Sequence, residues 1–193
     1  MNKKIFILSI VIGIILVINI LYLSLNKKND NKFSINKELT YLNLTTNQGI
    51  HLKTEEVLGS PSIFFFGFLN CPDICPNTLM KISEIITKLG DKSKKVNFYF
   101  VTVDPERDKV DDMNKYLTNF SKEIIGVTGS PNNIKKFLKT MHVYYEKIYL
   151  DENFYTLDHS SQIFIFKKKG DFFGTISLEE DALIVLKKIK SII

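Results

Sequence analysis

The two cysteines of this chain, Cys71 and Cys75, lie four residues apart in the run Cys-Pro-Asp-Ile-Cys-Pro. The run follows the apolar segment 63–68 and precedes a segment with helical periodicity, so it is predicted to form a loop between a strand and a helix. The unpaired N–H groups at the start of a helix stabilise a thiolate. Two thiols at this spacing can form a disulfide or bind one soft metal ion such as Cu(I). A purely structural disulfide would stabilise little, because the loop that it closes is short.

A third ligand for such a metal would come from one of the three histidines. His51 falls in a predicted hairpin and has the character of a surface strand residue, whereas His142 ends a predicted helix and can simply pack there. His159 lies between Asp158 and Ser160, where polar neighbours can orient an imidazole ring; Asp158 could do so by a hydrogen bond. The spacing favours His159 but does not show that it faces the cysteines.

Hydrophobic patterns predict strands that alternate with helices, followed by hairpins and a final helix. Continuous apolar runs indicate buried strands, and apolar residues at helical spacing indicate amphipathic helices. The predicted strands are 39–44, 50–52, 63–68, 96–103, 124–127, 143–149, 154–157, 162–166 and 172–176. The predicted helices are 76–89, 110–120, 131–141 and 178–192, the last one with a capping box that begins at Ser177. This order predicts an α/β sandwich with a mixed central sheet.

The N-terminal segment is predicted to be a membrane anchor. Residues 5–25 contain no charged residue, and about 20 apolar residues span a bilayer as a helix. A cleaved signal peptide is the alternative, but its apolar core would be shorter. We therefore expect an anchor at 1–25, a polar stalk at 26–37 and one domain at 38–193. Lysines on both sides of the apolar segment leave its orientation open, and if anything favour a cytoplasmic domain.

The basic net charge is confined to this N-terminal segment. The chain carries a net charge of +5, and residues 1–37 hold six lysines and one aspartate, so the rest of the chain is neutral. A nucleic-acid-binding domain has clustered basic residues. The sequence therefore predicts no nucleic-acid partner.

Five segments of the chain resemble the SCO/SenC family of copper proteins, which serve cytochrome c oxidase assembly. They are Pro61–Phe68, Cys71–Pro76, Val101–Asp108, Ile125–Pro131 and Leu157–Ser161, in the order and spacing of the family. The similarity covers roughly residues 40–190. The chain departs from the family at Leu69-Asn70, where the family more often has a threonine before the first cysteine.

The resemblance implies a thioredoxin-like fold with an inserted hairpin and a copper site formed by Cys71, Cys75 and His159. Copper would bind as Cu(I), with Cu(II) left open. The implied recipient is the binuclear copper site of cytochrome c oxidase subunit II, with another copper carrier or a thiol reductant as a further partner. The domain would face the periplasm, or the intermembrane space of a mitochondrion, from the inner membrane.

Two functions follow from this resemblance. A metallochaperone binds and transfers copper without catalytic turnover, and it uses all three side chains. A thiol–disulfide reductase would use Cys71 and Cys75 to keep the cysteines of the oxidase site reduced, and it would not need His159.

Overall fold

The computed structural model describes residues 3–25, 33–35, 39–152 and 154–193. The chain divides into two compact units, Met1–Lys32 and Phe33–Ile193. The first contains helix α1, Lys3–Leu25, in the segment predicted to be an anchor. Among the described residues, no helix meets the length and apolar character needed to cross a membrane, so the predicted transmembrane helix is not supported. Most of the predicted stalk, 26–37, and the predicted start of the domain at residue 38 lie outside the described residues.

The second unit is built on a six-stranded mixed sheet in the order β1-β4-β3-β2-β7-β8. Strands β2, β3 and β4 are parallel, and the outer pairings are antiparallel. The strands are β1 Leu44–Thr46, β2 Ser62–Gly67, β3 Asn97–Thr102, β4 Ile124–Gly129, β7 Ile163–Phe166 and β8 Phe172–Ile176. Every residue of β2 is buried, which explains why this central strand is a continuous apolar run rather than an alternating one.

Helices connect these strands and bury one apolar face each. They are α2 Thr54–Gly59, α3 Ile74–Leu89, α4 Val110–Leu117, α5 Pro131–Thr140 and α6 Ala182–Lys190. Helix α3 buries Leu79, Ile82 and Ile86 at helical spacing and ends at Gly90, which has a positive φ of 56°. Helix α5 starts as predicted, because the Ser130 side chain accepts a hydrogen bond from the N–H of Asn133.

Strands β5, Tyr145–Tyr149, and β6, Tyr155–His159, form a separate two-stranded antiparallel sheet. They lie between α5 and β7 in the chain, so the predicted inserted hairpin is present. His159 is the last residue of β6 and pairs with Tyr145, the first residue of β5. Asn153, in the predicted turn, lies outside the described residues.

Three local predictions were wrong. The first strand is Leu44–Thr46 rather than 39–44. It still forms the predicted hairpin with residues 50–52, because the N–H of Thr46 donates a hydrogen bond to the carbonyl oxygen of Ile50 and the N–H of Leu52 donates one to that of Leu44. Helix α2 was not predicted. The capping box at Ser177 is not formed either, because the last helix starts later, where the Asp181 side chain accepts hydrogen bonds from the N–H groups of Leu183 and Ile184.

Candidate metal centre

The two cysteines lie where β2 turns into α3. Cys71 is half-buried in the connecting loop, and Cys75 is fully buried in the first turn of the helix. The N–H of Cys75 donates a hydrogen bond to the Cys71 sulfur over 3.4 Å. Both residues are free thiols. The helix therefore presents a backbone donor to the more accessible of the two sulfurs, as the sequence predicted.

Hydrogen bonding divides the two thiols into one acid and one very weak acid. The bond from the Cys75 side chain is the main reason why the pKa of Cys71 is lowered to about 4, against the opposing effect of burial and with a smaller contribution from the adjacent His159 side chain. The same bond between the cysteines, together with burial, raises the pKa of Cys75. At neutral pH, Cys71 is thus a thiolate and Cys75 keeps its proton.

Gly67, the last residue of β2, leaves room for the Cys75 sulfur. A Cβ atom at this position would lie 2.8 Å from Cys75 Sγ and 2.9 Å from Phe100 Cε2. Sequence reasoning missed this requirement. The available signal was a glycine at the end of an otherwise apolar strand, which often marks a close approach of another group.

His159 reaches the cysteine pair from the β5–β6 hairpin. Its Nε2 atom lies 3.8 Å from Cys75 Sγ, and its ring packs edge-on against Phe68 with the centroids 5.8 Å apart. Its Nδ1 atom lies 2.9 Å from the carbonyl oxygen of Ser160. Because a carbonyl only accepts hydrogen bonds, Nδ1 donates in this bond, and in the neutral ring the lone pair then lies on Nε2, which faces the sulfur. The residue that orients the ring is thus Ser160, through its backbone, and not Asp158.

The other two histidines make different contacts. His51 is exposed, and its Nδ1 atom lies 3.1 Å from the carbonyl oxygen of Leu44. His142 packs edge-on against Phe33, with the ring centroids 5.2 Å apart. These are the surface and packing roles that the sequence suggested for them.

Acidic residues that follow β3 support the loop that carries the cysteines. Asp108 is 2% exposed, and its Oδ2 atom accepts hydrogen bonds from the N–H of Leu69 at 3.2 Å and from the Thr102 hydroxyl at 2.6 Å. Burial raises the pKa of Asp108 to about 6. Asp104 forms an ion pair with Arg107. Asp73, between the cysteines, is exposed and accepts a hydrogen bond from the Asn77 side chain.

The donor set suits a soft metal ion, because it combines a thiolate, a second thiol that can ionise and an imidazole nitrogen with a free lone pair. In the described residues, no group of three or more His, Cys, Asp or Glu side chains already forms a metal-binding cluster. The assignment of Cys71, Cys75 and His159 as ligands therefore stays a prediction.

Comparison with known proteins gives consistent results for family and fold. The family model for SCO1/SenC matches residues 34–193. An SCO2-like protein of Rickettsia prowazekii is 30% identical over 197 residues, covering 98% of this chain and 96% of that protein. The mitochondrial SCO1 homolog 1 of Arabidopsis thaliana is 35% identical over 130 residues; the match covers 67% of this chain and only 39% of that protein.

Two solved structures with copper bound are similar to this chain. Bradyrhizobium japonicum ScoI has 32% sequence identity and a TM-score of 0.75, covering 79% of this chain and 97% of that one. Yeast Sco1 has 30% identity and a TM-score of 0.71, covering 78% of this chain and 84% of that one. The predicted α/β class with a mixed central sheet is confirmed, and the chain belongs to the SCO1/SenC family.

Proposed function

We propose that this protein is a copper metallochaperone, with Cys71, Cys75 and His159 as the ligands of one copper ion. The observation that carries the proposal is the 3.8 Å approach of His159 Nε2 to Cys75 Sγ. These residues are 84 positions apart in the chain, and the ring is oriented so that its free lone pair faces the sulfur.

The separation of the ligand atoms supports a shared metal ion. Metal bonds of about 2.3 Å to sulfur and 2.0 Å to an imidazole nitrogen, as in zinc sites, place the two atoms about 3.7 Å apart at a trigonal angle. The distance of 3.8 Å between Cys75 and His159 agrees with this value. Two sulfurs and one nitrogen are ligands that favour Cu(I).

The unequal burial of the two cysteines supports transfer of the metal as cargo. Cys75 is fully buried, whereas Cys71 is half-buried and adjoins the exposed residues Pro72 and Asp73. An incoming ligand of a partner can therefore displace Cys71 first. We propose the binuclear copper site of cytochrome c oxidase subunit II as recipient, as family membership suggests, with the domain facing the periplasm or the mitochondrial intermembrane space.

A second candidate function is favoured by the separation of the two thiol pKa values. The Cys71 thiolate would attack a disulfide of the target, forming a mixed disulfide and releasing one thiolate of the target. Cys75 would then lose its proton and attack Cys71, releasing the second thiolate and leaving a Cys71–Cys75 disulfide. Two electrons pass to the target, so an external thiol reductant has to restore the pair. This reaction does not use His159.

An anaerobic Cu(I) titration of the reduced protein, in competition with a Cu(I) chelator, separates the two functions. We expect one copper per chain and an affinity that falls at least about tenfold in His159→Ala, because one of three ligands is lost. His51→Ala is the matched control and should bind copper like the wild type. If His159→Ala binds as tightly as the wild type, the ligand assignment is wrong and the reductase becomes the better proposal.

A further inference from the structure

The hairpin that carries His159 is not part of the central sheet. Strands β5 and β6 pair with each other and form their own two-stranded sheet. Apart from its short backbone connections to α5 and β7, the hairpin is held against the body of the domain by side-chain contacts, and these contribute to the position of His159 relative to the cysteines. The most extensive polar contact of this kind in the described residues involves Arg107, in the segment between β3 and α4.

Arg107 joins the hairpin to the body in three ways. Its Nη1 atom donates a hydrogen bond to the carbonyl oxygen of Tyr155 over 2.8 Å. Its guanidinium carbon lies 3.8 Å from the centre of the Tyr155 ring. Its Nε atom forms an ion pair with Asp104, and the other oxygen of Asp104 accepts a hydrogen bond from the Tyr155 hydroxyl over 2.9 Å. Asp104 is 1% exposed, so the bonds that its carboxylate accepts are shielded from water.

Strand β6 links the contacts made by Tyr155 to the position of His159. Tyr155 and His159 begin and end β6, and residues separated by an even number of positions face the same side of a strand. Both side chains thus face the body of the domain. Four residues span about 13 Å along a strand, so fixing the backbone at Tyr155 limits where the imidazole can lie.

The same segment also holds the cysteine loop. Asp108, next to Arg107, accepts the hydrogen bond from the N–H of Leu69, two residues before Cys71. Residues 104–108 therefore contact both halves of the site: the hairpin through Asp104 and Arg107, and the cysteine loop through Asp108. The distance between Cys75 and His159 depends on this shared support.

The composition of the chain singles out Arg107. It is the only arginine, and the other 25 basic residues are lysines. A lysine ammonium is a single point charge, whereas the planar guanidinium can bond two acceptors in fixed directions and stack on an aromatic ring. Arg107 makes all of these contacts at once, so this position has a requirement that lysine does not meet.

We propose that Arg107 is a positioning residue for the metal site: by binding Asp104 and Tyr155 it fixes the β5–β6 hairpin so that His159 faces the cysteine pair. This inference rests on the proposed copper function, because it assigns Arg107 an effect on a ligand of that site. Arg107 itself does not touch the metal.

The test is a double-mutant cycle on the full chain, with Cu(I) affinity as the measurement. Arg107→Lys should weaken Cu(I) binding by about 10–100-fold, the range typical of residues that orient metal ligands. In the His159→Ala background the same substitution should change affinity by less than about twofold, because the ligand that Arg107 positions is already absent. Equal losses in both backgrounds, or no loss in either, would overturn the proposal.

The matched control is Glu106→Gln. Glu106 also joins this segment to the hairpin, by an exposed ion pair with Lys147 at 2.7 Å. Exposed pairs contribute little, so we expect copper affinity to stay within about twofold of the wild type. A loss as large as that of Arg107→Lys would contradict the specific role of Arg107.

Two further measurements separate this inference from the proposed function. X-ray absorption of the copper-loaded protein should show two sulfurs and one nitrogen in the wild type, with the nitrogen lost in Arg107→Lys. In the metal-free protein, the substitution should shift the imidazole ¹⁵N resonances of His159 while the backbone amide of Cys75 stays in place. If the wild type binds no copper, the proposed function fails, and the resonances alone decide the inference: unchanged His159 resonances refute it.

Discussion

Replacing Gly67 with alanine would insert a methyl group into the space that the Cys75 sulfur occupies. The new Cβ atom would lie 2.8 Å from Cys75 Sγ, and ordinary contact begins at 3.4 Å, so the sulfur has to move by about 0.6 Å. Cys75 and the neighbouring Phe100 are fully buried and cannot turn into solvent. Overpacking of this kind costs about 1–3 kcal/mol, and a metal site tolerates ligand displacements of only about 0.5 Å.

We therefore expect Gly67→Ala to lower the free energy of unfolding by about 1–3 kcal/mol and to weaken Cu(I) binding at least about tenfold. Urea denaturation measures the first effect, and competition with a Cu(I) chelator measures the second. Both measurements are needed because a general loss of packing and a displaced ligand predict different ratios of the two effects.

Two other glycines of the same sheet provide matched controls. Gly126→Ala would place a Cβ atom against Met113 and 2.8 Å from Leu117 Cδ1, so it should lose stability but keep copper affinity. Gly174→Ala meets nothing within 4 Å and should change neither. The reasoning is refuted if Gly67→Ala behaves like Gly174→Ala, or if Gly126→Ala loses as much affinity as Gly67→Ala.

Three further substitutions test the physical basis of the fold around the site. The pKa of Asp108 is raised from 3.8 to about 6, so the folded state binds this proton more tightly, and the resulting stabilisation is complete below pH 3.8 and is lost as the pH rises through 6. Between pH 5 and pH 7 the free energy of unfolding should therefore fall by about 1 kcal/mol more in the wild type than in Asp108→Asn. Urea denaturation at the two pH values measures this, and an equal change in both proteins would contradict the prediction. Ser130→Ala removes the cap of α5 and should lower the free energy of unfolding by about 1 kcal/mol, measured in the same way. Lys81→Met removes the hydrogen bonds that its ammonium donates to backbone carbonyls of the 177–180 turn, so it should lower the melting temperature and speed amide hydrogen exchange at the start of α6; unchanged exchange there would show that the turn does not depend on Lys81.

The central strands and helices could be predicted because burial and local geometry agree in them. Strand β2 is buried along its whole length, and its apolar run has no other explanation. Helix α5 has a serine cap and a proline in its first turn, and both act within a few residues of the helix start. Such elements are determined by their own sequence.

The elements that were wrongly predicted depend on distant or competing contacts. The 177–180 turn contains the residues of a capping box, but Lys81, from α3, donates hydrogen bonds to its carbonyls, and Asp181 caps the helix instead. Strand β1 begins at Leu44 rather than at residue 39, and along its whole length it pairs with β4, a distant part of the chain. No local pattern contains this information.

The proposed metal site also has one part that local sequence predicts and one part that depends on distant contacts. The loop with Cys71 and Cys75 could be predicted from residues next to each other, whereas the local pattern only favoured His159, and its place beside the cysteines was implied by resemblance to a family, since 84 residues separate it from Cys75. The register of an independent hairpin decides where its ring lies. One feature of the sequence is related to the position of the hairpin: the chain has a single arginine among many lysines. Because Arg107 bonds the backbone and stacks on the ring of Tyr155, the residue type that stands out in the composition is also the one that we propose to position His159 beside the two cysteines.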